Sequence, residues 1–261
     1  MKTKKASKTN TRSGIIFFAI ALTYNMLLGL YPKDFLVLSP MFTTFYFLSA
    51  LPTLFFVLKI RSTPMRAVVL VVTPYYNKAT QKGLYEMYTS IADFSKIPII
   101  LYNVPSRTGV NIEPSTYKAL AEHKNIVAIK EANGNLSKIV ETMSYVHEKL
   151  DLYSGNDDQI VPLLALGSKG VISVLSNILP SETVKMCELF FAGDVEGAAK
   201  MQYKYHALID ALFSEVNPIP VKAAMAAMGF CENRLRLPLT CMEKEHEEDL
   251  LDCMRKVGID V

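Results

Sequence analysis

The chain has 261 residues, half of them hydrophobic, and a formal charge of +3. That length allows one large domain or two small ones around a sizeable core. Five of its basic residues, Lys2, Lys4, Lys5, Lys8 and Arg12, crowd the first 13 positions without an acid, and no basic stripe follows, which argues against a nucleic-acid partner.

Residues 14–31 carry no charge, Pro32-Lys33-Asp34 follows, and residues 35–58 are again uncharged. Each stretch approaches or exceeds the roughly 20 apolar residues that span a bilayer. Basic residues flank the pair outside, with Lys59, Arg61 and Arg66 after the second stretch. The expectation for residues 1–66 is therefore an apolar helical hairpin, membrane-associated through residues 14–58 with both ends cytoplasmic. A secretory signal is disfavoured, because no small-residue cleavage site follows the first stretch and a second apolar stretch does. Pro40 and Pro52 interrupt a clean membrane helix, so a buried helical extension or a segment foreign to the fold are the alternatives.

From residue 67 the rhythm becomes that of an α/β protein. Apolar strands are expected at 67–73, 97–102, 126–130, 151–155 and 170–175, with helices at 80–94, 114–123, 135–149 and 157–166 between them. Strand, helix, strand at this spacing implies right-handed parallel crossovers. Tyr85, Met87, Tyr88, Ile91 and Phe94 mark the expected inner face of the first helix. Residues 67–180 are expected to form one parallel β/α unit, and a partial (β/α) barrel is the architecture expected of it. Residues 181–261 read as a helical region, with helices at 181–192, 195–213, 221–228 and 242–257. Its four cysteines (Cys187, Cys231, Cys241, Cys253) lack CxxC spacing and a histidine at ligand spacing, so reduced thiols and no metal are expected. The histidines, at 123, 147, 206 and 246, read as surface or packing residues, and no GxGxxG, Walker or HExxH pattern occurs.

The chemistry collects at strand ends. Lys130 closes the apolar run 126–129, where burial lowers an amine's pKa and leaves it able to attack a carbonyl, a Schiff-base setting. The run 97–101 ends in Tyr102 and is followed by Arg107 and Gly109; the run 67–72 ends near Tyr75 and Tyr76. In an α/β barrel such ends converge on one mouth, where Tyr76, Tyr102, Arg107, Lys130, Gly155 and Ile172 would share a pocket. Singly, each has a plainer reading. A strand-end lysine can reach solvent, the tyrosines can be interface aromatics, Arg107 can pair with Glu131, and Gly109 can serve a turn.

Together, VTPYYN (72–77), ILYNVPSRTG (100–109), AIKEANGN (128–135), YSGND (153–157) and GVISV (170–174) closely resemble the dihydrodipicolinate synthase family of the pyruvate-dependent class I aldolases. NPIPVKAAMAAMG (217–229) and LRLPLT (235–240) are similar to that family's C-terminal helical region, so the resemblance covers about residues 67–261. It implies a TIM-barrel lyase that condenses pyruvate with aspartate semialdehyde on the diaminopimelate route to lysine. By the same resemblance, Lys130 forms the imine with pyruvate and Tyr102 is the phenol beside it that relays protons. Tyr76 is the tyrosine that reaches into a neighbouring subunit's site, and Arg107 holds the semialdehyde's carboxylate. Gly155 and Ile172 line the pyruvate pocket. A cytoplasmic homo-oligomer without metal or diffusible cofactor is implied, the imine itself serving as electron sink. The SRTG continuation after YNVP favours this synthase over related sialic-acid or sugar-acid lyases.

The resemblance stops at residue 67. A closed barrel of this family has eight strands, and five are recognisable here. The family's second-strand Gly-Thr-Thr-Gly-Glu loop is missing, and Thr43-Thr44, between Phe42 and Phe45 without a glycine, does not take its role. Two further functions therefore stand beside the synthase: a catalytically impaired barrel fragment tethered to a membrane, and an interaction protein whose barrel another subunit completes. Strands 67–73 and 170–175 would each carry an unpaired edge.

Overall fold

The computed structural model describes residues 67–261; the hairpin expected within 1–66 lies outside the described residues. Among the described residues no helix is long and apolar enough to cross a membrane.

Four strands form one parallel sheet in sequence order: β1 (Val69–Val72), β2 (Ile99–Asn103), β3 (Ile126–Glu131) and β4 (Asp151–Ser154). Helices α1 (Gln81–Phe94), α2 (Pro105–Thr108), α3 (Pro114–Leu120) and α4 (Leu136–Val146) connect them. Parallel neighbours need such crossovers, and the expected βαβ spacing is what the chain adopts. α1 starts where the Thr80 hydroxyl accepts the Gly83 N–H at 3.2 Å, and α4 where the Asn135 side chain accepts the Lys138 N–H at 3.1 Å. Each side chain satisfies an amide that the first helical turn leaves open.

Two expectations are corrected. The fifth strand at 170–175 is reduced to a single parallel bridge between Ser154 and Val171, and the chain then tightens into a 3-10 turn at Leu175–Asn177. Asp157 draws this segment out of strand geometry by accepting the N–H groups of Val174 and Leu175. The helix at 157–166 likewise divides into a 3-10 turn, Asp157–Gln159, and α5 (Ile160–Ala165).

The core lies against the helix-facing side of the sheet, where Leu101, Ile129 and Leu152 align in register and pack with Leu84, Tyr88 and Ile139. The inner face of α1 is centred on Leu84, Tyr88 and Ala92, the i, i+4, i+8 stripe, with Met87 and Ile91 beside it. Tyr85 and Phe94, expected on that face, are exposed. A second core joins α6 (Pro180–Phe191), α7 (Val195–Leu212), α8 (Ile219–Ala227) and α9 (Lys244–Lys256) through Met186, Tyr205, Leu208, Leu250 and Met254. It also takes in Ile160, Leu164 and Leu175, so the C-terminal helices pack directly on the segment that follows β4.

Candidate active site

Register decides what meets at the carboxyl end of the sheet. Val72 pairs with Tyr102, Tyr102 with Lys130, and Lys130 with Tyr153. In-register residues of a parallel sheet project to one face, so the lysine stands between two tyrosines. Its Nζ lies 4.1 Å from the centre of the Tyr102 ring, within the range of a cation–π contact. Lys130 is only 9% exposed. Burial pulls its amine down to about 8, with the Arg107 guanidinium pulling the same way and the Asp157 carboxylate opposing both. Tyr102 is pushed above the usual phenol range, mainly by burial, with Glu131 adding to the rise and Arg107 working against it.

One residue further along, the row turns to the opposite face: Asn103 pairs with Glu131 and Glu131 with Ser154, all of them buried. Glu131 does not pair with Arg107, the plainer reading of that arginine. Its carboxylate accepts Asn103 Nδ2 at 3.0 Å, the Tyr117 hydroxyl at 3.0 Å and the Asn133 N–H at 2.9 Å. This network joins the ends of β2 and β3, α3 and the loop after Lys130, so the lysine rests on a strand end braced from behind. Burial pushes the Glu131 carboxyl up to about 7 despite those donors.

Arg107 lies in α2, which ends at Gly109 in the left-handed conformation (φ 68°), its N–H donating to the Pro105 carbonyl. Glycine serves this turn without a Cβ penalty. The arginine is exposed, yet its charge acts on both Tyr102 and Lys130. Thr108 of the same turn accepts the Thr73 hydroxyl at 3.0 Å and so ties α2 to the end of β1.

Gly155 lies against β3: its N–H donates to the Glu131 carbonyl at 2.7 Å, and a Cβ there would come within 2.8 Å of Ala132 Cβ and 3.0 Å of the Glu131 oxygen. Gly155→Ala is therefore expected to cost about 1–3 kcal/mol by forcing β4 away from β3, measurable as a lowered urea midpoint at unchanged m-value. Ile172 is held beside β4 by its N–H to the Ser154 carbonyl at 2.9 Å.

Tyr76 is not brought to this cluster. It is 88% exposed and adopts φ 70°, a left-handed conformation uncommon for a tyrosine, in a turn closed by the Asn77 N–H on the Tyr75 carbonyl. Backbone strain of this kind persists where surrounding structure imposes it. The sequence reading missed Tyr153, the bracing role of Glu131, and Asp157. All three stand inside motifs quoted above, and only strand register and burial distinguish them.

A parallel β/α sheet with a buried lysine at its carboxyl end defines a protein of TIM-barrel type, and the described residues supply four of the eight strands of a closed barrel. The chain matches the model of the dihydrodipicolinate synthetase family over residues 63–257, and it belongs to that family. It is 55% identical over 191 residues to 4-hydroxy-tetrahydrodipicolinate synthase of Alkaliphilus oremlandii, a match covering 73% of this chain and 66% of that one. The crystal structure of dihydrodipicolinate synthase from Thermotoga maritima is similar at TM-score 0.72 and 44% identity, covering 77% of this chain and 69% of that one. The chloride-inhibited enzyme from Acinetobacter baumannii, complexed with pyruvate, matches at TM-score 0.72 and 41% identity, covering 74% and 66%. The chain spans just under two thirds of the length of the curated relatives, 66% of the Alkaliphilus protein and 65% of that of Caldicellulosiruptor bescii. The matched span begins after both apolar stretches of residues 14–58.

Proposed function

We propose that the chain is a 4-hydroxy-tetrahydrodipicolinate synthase, a lyase-class enzyme that joins pyruvate to L-aspartate 4-semialdehyde through an imine on Lys130. The observation that carries the reading is the buried Lys130 amine, lowered to about 8 and seated 4.1 Å from the Tyr102 ring at the carboxyl end of the sheet. In this reading neutral Nζ attacks the ketone carbon of pyruvate, and the carbinolamine loses water to give a protonated imine. The imine accepts the electrons released when a methyl proton leaves. The resulting enamine carbon adds to the aldehyde, and the semialdehyde's own amine then displaces Lys130 to close the ring. Tyr102 passes protons at the carbinolamine. Arg107 grips the incoming carboxylate with two hydrogen bonds, and Gly155 and Ile172 line the pyruvate end. No metal or diffusible cofactor has a part in this scheme.

Cytoplasmic residence is proposed on the free thiols of Cys187, Cys231, Cys241 and Cys253. A homo-oligomer is proposed on Tyr76, whose exposed ring on a strained turn suits insertion into a second copy. Incubation with pyruvate and borohydride, followed by peptide mapping, tests the central claim, and a mass increase on Lys130 is expected. Arg107→Ala is expected to keep that adduct and to raise the KM for aspartate semialdehyde at least about tenfold, the loss of a charge-assisted contact; equal loss of adduct and turnover would give Arg107 a structural role instead.

A second reading has its own observation. Among the described residues β1 has a strand on one side only, with Val69 36% and Val72 43% exposed. A catalytically silent fragment, tethered or completed by a partner, is the alternative, and folded protein that forms no pyruvate adduct would establish it.

A further inference from the structure

Thr73 follows β1 directly, and its N–H donates to the Tyr102 carbonyl at 3.1 Å. Pro74 comes next and has no N–H with which to extend the ladder. The connection between the two strand ends continues through a side chain instead: the fully buried Thr73 hydroxyl donates to the Thr108 hydroxyl oxygen at 3.0 Å. Thr108 Oγ1 also accepts the Val110 N–H at 3.3 Å, and its own proton has the Val110 and Val104 carbonyls at 3.1 and 3.3 Å. Thr73 thus holds the backbone of Tyr102 with its amide and the neighbour of Arg107 with its hydroxyl.

The α2 turn depends on such outside ties. It is four residues long, closed by the Arg107 and Thr108 N–H groups on the Val104 carbonyl and the Gly109 N–H on the Pro105 carbonyl, and a single helical turn is not stable by itself. The loop after it is tied to β2, the Ile112 N–H donating to Asn103 Oδ1 at 3.1 Å and Asn103 Nδ2 to Asn111 Oδ1 at 2.8 Å. The Thr73 hydroxyl supplies the tie on the β1 side. Arg107 has no ion-pair partner among the described residues, so the backbone of α2 sets where its side chain begins.

We propose that Thr73 is a positioning residue for the second substrate: its hydroxyl fixes α2 so that Arg107 starts from a set place beside the end of β2 and meets the semialdehyde's carboxylate with both of its hydrogen bonds aligned. The inference rests on Arg107 being the carboxylate holder and Lys130 the nucleophile. A two-bond grip is sensitive to the orientation of the guanidinium, so loosening its base weakens capture of this substrate. Lys130 is set by its own register with Tyr102, between β3 and β2, in which the Thr73 hydroxyl has no part.

Thr73→Val tests this, since it keeps the shape and the amide and removes only the hydroxyl. No buried donor is stranded, because the Thr108 proton keeps both of its carbonyls. On the full chain, borohydride trapping of pyruvate is expected to persist with kcat within about twofold, while the KM for aspartate semialdehyde rises about fivefold, the size of one buried hydrogen bond. Thr73→Ser is expected to restore the KM. In the double variant with Arg107→Ala the KM should be no higher than in Arg107→Ala alone, because the hydroxyl acts through the arginine. An unchanged KM in Thr73→Val overturns the proposal. So does a rise of the same factor on the Arg107→Ala background, or an equal loss of adduct, either of which marks a purely structural role. Should Thr73→Val fail to fold by circular dichroism, Thr73→Ala removes the same hydroxyl without placing a methyl against Thr108, and the same ratios are expected. Wild-type chain that forms no pyruvate adduct removes the Lys130 reading; the same variants are then compared by calorimetric binding of succinate semialdehyde, which keeps the aldehyde and the carboxylate, and the same ratios are expected in Kd. Binding that is absent from the wild type, or equal in Thr73→Val, overturns the inference about Thr73 as well.

Discussion

Lys130→Arg is expected to abolish the pyruvate adduct and to lower any turnover by at least about a thousandfold, with the circular-dichroism spectrum retained. Arginine keeps the positive charge beside Tyr102, but its guanidinium stays protonated at any working pH and offers no neutral nitrogen to attack a ketone. The wild-type amine, lowered from 10.5 to about 8, has a neutral fraction near pH 7 about 300-fold greater than an ordinary lysine's. Because the neutral form attacks, the initial trapping rate should climb through about pH 8 and level off above it. A rate that is flat from pH 6 to 10, or an adduct of undiminished yield in the arginine variant, would remove Lys130 as the nucleophile.

Glu131→Ala should produce the largest stability loss, about 3–5 kcal/mol, read as a lower urea midpoint. It leaves the Tyr117 hydroxyl, the Asn133 N–H and one Asn103 N–H without their acceptor in a closed interior. Glu131→Gln behaves differently, since its oxygen can keep Asn103 and Asn133 while its amide donates to Tyr117. The pH dependence separates the two effects. The folded carboxyl is raised from 4.5 to about 7, so the folded protein holds a proton that the unfolded chain releases between those values. That contribution is fully present below about pH 4.5 and is lost as pH rises through about 7. Relative to wild type, the glutamine variant should therefore gain up to about 3 kcal/mol between pH 4.5 and pH 8. A difference independent of pH would mean that Glu131 is ionised in the fold at its ordinary pKa.

These effects show how far local pattern reaches. The apolar runs before Lys130 and Tyr102 identify β3 and β2, because only a continuous stretch of Ile, Val, Leu and Ala suits a strand buried on both faces. The lysine was legible as a candidate too, since a charged amine at the end of such a run is costly unless it has a function. The fifth strand was misjudged for an equally physical reason. Residues 170–175 carry the same apolar pattern, but Asp157, well back in sequence, captures the amides of Val174 and Leu175 where the chain enters the 3-10 turn Leu175–Asn177. On α1, aromatic residues suggested a face that Tyr85 and Phe94 do not share, because small Ala92 rather than large Phe94 completes the buried stripe.

By itself the sequence determined the alternation of strands and helices from residue 67, the family, and the identity of Lys130, Tyr102 and Arg107 as candidates, since these follow from short-range periodicity and from motifs of fixed spacing. Only the tertiary structure decided that Tyr102, Lys130 and Tyr153 stand in one row, that Glu131 braces the strand from behind, and that Asp157 holds the amides of Val174 and Leu175. Those relations depend on strand register and on burial. Register is a property of pairing between strands some 25 residues apart, and burial decides whether a carboxylate is solvated or must find its partners within the fold.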